Sequence, residues 1–235
     1  MVFQEISINP FKMHLNDAIL AAHLAKNTAF GTPAEARAAR VMLCRTAVAH
    51  AVFAFESAAN CFLDRIPRGR AFRDKAEKWS ALDKLDLYLL SVPAAPRLRR
   101  DDLRVKAMID LIKIRDKHVH PRVVTHPVTA TETADIKISI KLPPDPALNM
   151  VSLGMAWSVK DAILAINTVL EFLRMFIQLT RMSAAGVQAI LSDVVKCDDG
   201  SRIADTGGYD PILVLGLGLE IDVGFLFPRA ESARP

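Results

Sequence analysis

The sequence predicts a mainly α protein, an antiparallel helical bundle carrying a small accessory β element. Long stretches repeat apolar residues at helical spacing, two stretches near 136–142 and 212–223 alternate at strand spacing, and cap and breaker residues punctuate the chain. The 235 residues suffice for one core: a bundle over 1–195 with a β insertion at 122–154, then a C-terminal β extension and tail over 196–235. Apolar residues make up 51% and charged residues 24%, the balance of a soluble globular protein.

Residues 1–12 open with Val2, Ile6 and Ile8 among polar neighbours and end near Pro10, as a short strand or an arm. An Ala-rich helix is expected from Leu15 to Thr28, stopped by Gly31. Thr32-Pro33 with Glu35 three residues on reads as a capping box opening a long helix, Pro33 to Leu63. Two neighbouring apolar stripes (Val48, Val52, Phe55, Ala59, Phe62 and Ala49, Phe53, Leu63) put that helix at the centre of the bundle. Glu56 and Asn60 interrupt the second stripe one turn apart.

Ile66 to Arg70 breaks the chain, and a basic cluster surrounds it, with Arg65, Arg68, Arg70, Arg73, Lys75 and Lys78. A helix follows from Ala81 to Leu90, with Leu82, Leu85 and Leu89 facing inward and Pro93 and Pro96 ending it. A second basic run, Arg97, Arg99, Arg100, Arg104 and Lys106, is opposed by Asp101 and Asp102. Either cluster suits phosphate contacts or simple solvation.

The next helix starts at Leu98 or Asp101 and ends at Val119. Val105, Met108, Ile109, Ile112 and Val119 share its apolar stripe, and Arg115 lies on it too. A guanidinium pushed toward a packed face needs an acceptor or a ligand. Pro121 stops the helix and biases His120 toward an extended conformation. Residues five apart on an ideal helix point about 140° apart, so His120 reaches Arg115 only if the last turn unwinds. His118, three residues from Arg115, is the rival that needs no unwinding.

Beyond Pro121, Ile136, Ile138, Ile140 and Leu142 alternate with polar residues as a half-exposed strand. Ser158 caps a helix running to Arg181, with Ile163, Ile166, Val169, Leu170, Leu173 and Ile177 inward, and a shorter helix covers Ala184 to Val195. Asp198 to Gly208 is turn-like. Leu213 to Phe225 then alternates as a strand that pairs either with Ile136–Leu142 or with a second subunit, and Ala230 to Pro235 is expected to be disordered.

An arginine, a polar residue, three further residues and a histidine at the end of an apolar helix resemble the signature of the HEPN superfamily. Many of these helical domains are metal-independent ribonucleases. The Glu56-Ser57-Ala58-Ala59-Asn60 segment adds to the resemblance, since many HEPN-like sequences carry a glutamate and an asparagine on the helix facing the motif helix. The resemblance covers about Leu15 to Pro121 and the helix after Ser158. It implies a homodimer whose arginines and histidines line a shared cleft, with RNA as the substrate. It also implies work in stress response or defence and a protein partner such as an antitoxin.

Metal-free RNA cleavage needs a base for the 2′-hydroxyl proton and a cation for the phosphorane charge. By resemblance His120 and Arg115 take these roles, with Asp116 in the polar position that is often asparagine in the family. Glu56 and Asn60 either orient Arg115 or are an edge carboxylate and a bridging amide. Arg68, Arg70, Arg73, Arg99, Arg100 and Arg104 are the candidate RNA contacts, and a net charge of +4 permits that partner. If the chain is not catalytic, Glu56–Arg115 is a structural ion pair in a module that binds RNA, a nucleotide or a protein.

No cofactor is expected, and no metal: His118, His120 and His126 are loosely spaced, and Cys44, Cys61 and Cys197 lie far apart. No nucleophile elbow is present, and Gly216-Leu217-Gly218 has no helix after it to make a nucleotide loop. Polar residues interrupt Ala162 to Leu179, which is expected to be a buried helix and not a membrane span. The absence of a cationic-apolar leader fits the cytoplasm.

Overall fold

The computed structural model describes residues 3–7, 9–27, 29, 31–120, 128–131, 137–140, 148–151, 154–197, 202–205 and 218–226. In chain order these hold β1 (Phe3–Ser7), α1 (Pro10–Asn27), α2 (Pro33–Asp64), α3 (Arg70–Ala76), α4 (Ala81–Ser91) and α5 (Leu103–Val119). After them come β2 (Val128–Thr131), β3 (Lys137–Ile140), a 3-10 turn at Gly154–Ala156, α6 (Val159–Thr180), α7 (Ala184–Leu191), β4 (Asp193–Cys197) and β5 (Arg202–Asp205). The protein is a mainly helical bundle.

α2 is its centre. Thr32 and Glu35 form the capping box, with the Thr32 amide donating to Glu35 Oε2 at 2.8 Å. Phe55 meets Phe172 of α6 edge-on at 5.1 Å, and Phe62 meets Tyr88 of α4 at 5.0 Å and Phe176 of α6 at 4.9 Å. Both α2 and α6 are long and apolar enough to cross a membrane; here their apolar faces pack into the core. α6 begins with a second capping box, Ser158 with Asp161, and ends at Arg181 in the left-handed region.

Several boundaries differ from the expected ones. α1 begins at Pro10 because the Asn9 side chain accepts from the Phe11 amide at 2.9 Å and donates to the Ile190 carbonyl at 3.0 Å, tying the helix start to α7. A short helix, α3, follows the Ile66–Gly69 break. α7 stops at Leu191, since Ser192 is extended and the next residues form β4, the middle strand of a sheet ordered β1-β4-β5. β4 sets Val195 opposite Ile6 and Val194 opposite Ala204, so the expected bundle end at 195 falls inside a strand and part of the expected turn region is β5.

β3 pairs antiparallel with β2. Residues 218–226 are not a strand: they turn, with Leu226 N–H donating to the Val223 carbonyl at 3.0 Å and Asp222 accepting from the Gly224 amide at 2.9 Å. Their alternation is nevertheless real, because Leu219, Ile221 and Val223 are buried. That face docks on helices: Lys26 of α1 donates to the Gly218 carbonyl at 2.9 Å, and Arg174 of α6 bonds Asp222 and covers the Phe225 ring. The expected strand residues 212–217, the 230–235 tail, Pro121 and His126 lie outside the described residues.

Candidate functional site at the end of α5

Asp102 caps α5, accepting from the Arg104 amide at 2.8 Å. The buried face of the helix is Val105, Met108, Leu111, Ile114 and Arg115. Val119, expected on that face, is 41% exposed, because the packed stripe drifts toward Leu111 and Ile114.

Arg115 is only 8% exposed, and its surroundings explain how a cation is accommodated. One terminal nitrogen bonds Glu56 of α2, the other lies 3.1 Å from Asp116, and the guanidinium carbon sits 5.3 Å above the Phe53 ring centre. Its Nε is buried with no hydrogen-bond partner among the described residues. The Glu56 and Asp116 side chains are 40% and 51% exposed, so the ion pair lies at the rim of the core.

Asn60 does not join this pair. Its Oδ1 accepts from Lys84 Nζ of α4 at 2.8 Å. Glu56 and Asn60, one turn apart, thus serve cations from two different helices. Lys84 is itself buried, and burial pulls its pKa down while the Glu56 charge opposes that shift. Lys84 was not singled out by the sequence, where it reads as an ordinary helix-surface lysine.

The end of α5 does not unwind. The His120 amide still donates to the Asp116 carbonyl at 2.8 Å, and only then does the backbone leave the helical region, at φ −114 and ψ 65. His120 is exposed and its ring has no hydrogen-bond partner among the described residues. Arg115 and His120 therefore face in different directions within one chain. His118 is engaged by other residues. Its ring packs on Trp157 at 5.1 Å, and its Nδ1 would lie 2.7 Å from a Cβ built on Gly154. Burial, then the nearby Arg45 charge, hold its pKa below the ordinary 6.5.

The basic clusters stand elsewhere. α2 and α5 run in opposite directions, with Glu56 at Arg115 and Arg45 close to His118. Arg68 and Arg73 follow the far end of α2, and Arg104 begins α5 about 24 Å from His120 at 1.5 Å per residue. Arg99, Arg100 and Arg104 are paired with Asp101, Asp83 and Asp102 at 2.7, 3.0 and 2.8 Å. Arg68 is exposed, Arg73 is half-buried, and the Arg70 side chain lies outside the described residues. Arg45, which no sequence pattern marks, is a basic residue close to His118.

Burial raises the thiols of Cys44 and Cys61 to about 11, which fits inert core cysteines. A further cluster that the sequence reading missed joins α1 to α2: His14, Asp17 and His50 present ligand atoms all within 4.8 Å of one another. His14 and Asp17 show helical spacing, but His50 is 36 residues from His14, so only the packing of the two helices reveals the group.

Compared with protein-family models, curated proteins and solved structures, the chain gives no match. Its function is therefore argued from its own residues.

Proposed function

We propose that the protein is a metal-independent RNA endonuclease of HEPN type, a cytoplasmic homodimer with Arg115 and His120 at a composite site. The observation that carries the reading is the fixing of Arg115 by Glu56 within the last turns of α5, just before an exposed His120 whose ring has no partner among the described residues. The guanidinium suits a developing phosphorane charge, and a histidine side chain suits the 2′-hydroxyl proton. Since the two groups diverge within one chain, the histidine that works beside a given Arg115 comes from the second copy. Exposed apolar side chains at the same end, Val119 at 41% and Met155 at 66%, suit such an interface.

A second reading is favoured by the neighbours that already hold the terminal nitrogens of Arg115. Two carboxylates and an aromatic face already occupy it, so a phosphate would have to displace Glu56 or Asp116. In that case the pair is structural, and the bundle is a non-catalytic HEPN-like module that binds RNA, a nucleotide or a protein such as an antitoxin.

The two readings separate in one experiment. Full-length protein is incubated with structured and single-stranded RNA in EDTA, beside Arg115→Met, His118→Ala and His120→Ala. Cleavage lost in Arg115→Met and His120→Ala, and kept in His118→Ala, is the expected result. Cleavage that needs added metal, or that survives both substitutions, contradicts the catalytic reading. RNA retention without cleavage leaves the second.

A further inference from the structure

We propose that His14, Asp17 and His50 form a binding site for one divalent transition-metal ion of the zinc type, bridging α1 and α2. The site is independent of the ribonuclease reading and requires no part of it.

The geometry is that of a ligand set. His14 Nδ1 lies 3.3 Å from His50 Nδ1, and His50 Nδ1 lies 3.2 Å from Asp17 Oδ2. Nitrogen and oxygen ligands about 2.0–2.1 Å from a tetrahedral zinc ion are separated from each other by about 3.3 Å. The remaining His14–Asp17 separation is within 4.8 Å. The Asp17 side chain is 45% exposed, so a rotation toward the histidines closes that gap.

Hydrogen bonding alone satisfies the cluster poorly. An imidazole nitrogen offers one proton or one lone pair in the ring plane. His50 Nδ1 faces two groups, His14 Nδ1 and Asp17 Oδ2, and can serve only one of them well. A cation at the centre is ligated by all three atoms at once.

Two nitrogens and one carboxylate select zinc, copper or nickel over calcium and magnesium, which prefer oxygen. Three protein ligands leave a fourth position open to water or another donor. The Phe53 ring walls the cluster, 5.5 Å from His14 and 5.9 Å from His50, and its face also carries Arg115.

The test uses the full chain stripped with a chelator and then dialysed. Isothermal titration with Zn²⁺ alone is expected to give one ion per chain. The melting temperature is expected to rise by several degrees at about a hundredfold excess over Kd. Co²⁺ is expected to give the visible absorption of a four-coordinate site. Asp17→Asn, on the exposed side, and His50→Gln are both expected to bind at least tenfold more weakly. The metal-free melting temperature of each variant shows whether it folds, and Asp17→Asn keeps the test intact if His50→Gln does not. No stoichiometric binding, or equal binding by wild type and Asp17→Asn, overturns the proposal as an adventitious ion only.

Discussion

Arg115 on α5 and Glu56 on α2 form an ion pair in which the cation is buried and the carboxylate stays at the rim, 9% against 40% exposed in their side chains. Removing either partner should therefore have unequal consequences. Glu56→Ala strands a buried guanidinium with only Asp116 to serve it, at an expected cost of about 2–3 kcal/mol. Arg115→Met keeps the packed stem and leaves a carboxylate that reaches water, at an expected cost of about 1 kcal/mol. Urea melts of both variants measure the difference; equal losses would mean that the cation is not confined as described.

Gly154 sets the position of His118. A Cβ there would meet His118 Nδ1 at 2.7 Å and Cε1 at 3.1 Å, with Arg45 Cγ at 3.4 Å. Gly154→Ala should push the ring off Trp157 and cost about 1–2 kcal/mol by overpacking. The displaced ring gains water, so its pKa should rise toward 6.5. NMR titration of His118 checks this, and a ring that keeps its lowered value would contradict the close approach.

The lowered pKa values of His14 and His118 fix the sign of a pH effect. Burial is the leading cause in both. Between their folded values and the ordinary 6.5 the unfolded chain binds these protons and the folded chain resists them. Stability should therefore fall as pH drops through and below 6.5, and recover above it. Melting temperatures of metal-free protein between pH 5 and 8 test the slope, which His118→Gln should flatten in part.

Asp102 acts in the opposite way. Its bond to Arg104 leads in holding its pKa down to about 2, against an ordinary 3.8. That stabilisation is complete above 3.8 and disappears as pH falls toward 2. Asp102→Ala should cost about 1 kcal/mol at neutral pH through the lost cap. In acid melts the gap between variant and wild type should narrow through that window.

Features written in neighbouring residues were legible beforehand. The Thr32–Glu35 capping box, Ser158 as the cap of α6, the apolar faces of α2 and α6, and Arg115 on a packed face follow from local spacing. Glu56 was a candidate because a charge interrupted a greasy stripe. What local spacing does not contain is the partner of each polar group. For Asn60 the sequence leaves open whether it orients Arg115 or bridges helices, and it bridges, accepting from Lys84, 24 residues on. The residues of β4 carry a helix-compatible apolar pattern and become a strand because β1 and β5 lie on either side. The alternation of residues 218–226 was correct for burial and misleading for pairing, since a helix surface can receive every second side chain as well as a sheet can.

The central claim, a site shared between two copies, is tested most directly by complementation. Arg115→Met and His120→Ala chains, each inactive alone, are unfolded, mixed and refolded together. One site of each mixed dimer then holds an intact arginine and an intact histidine from different chains, and RNA cleavage in EDTA should return to about a quarter of the wild-type rate, from random pairing in a two-fold dimer. Recovery of activity is the predicted result. A mixture that forms dimers and stays as inactive as its components would contradict the account.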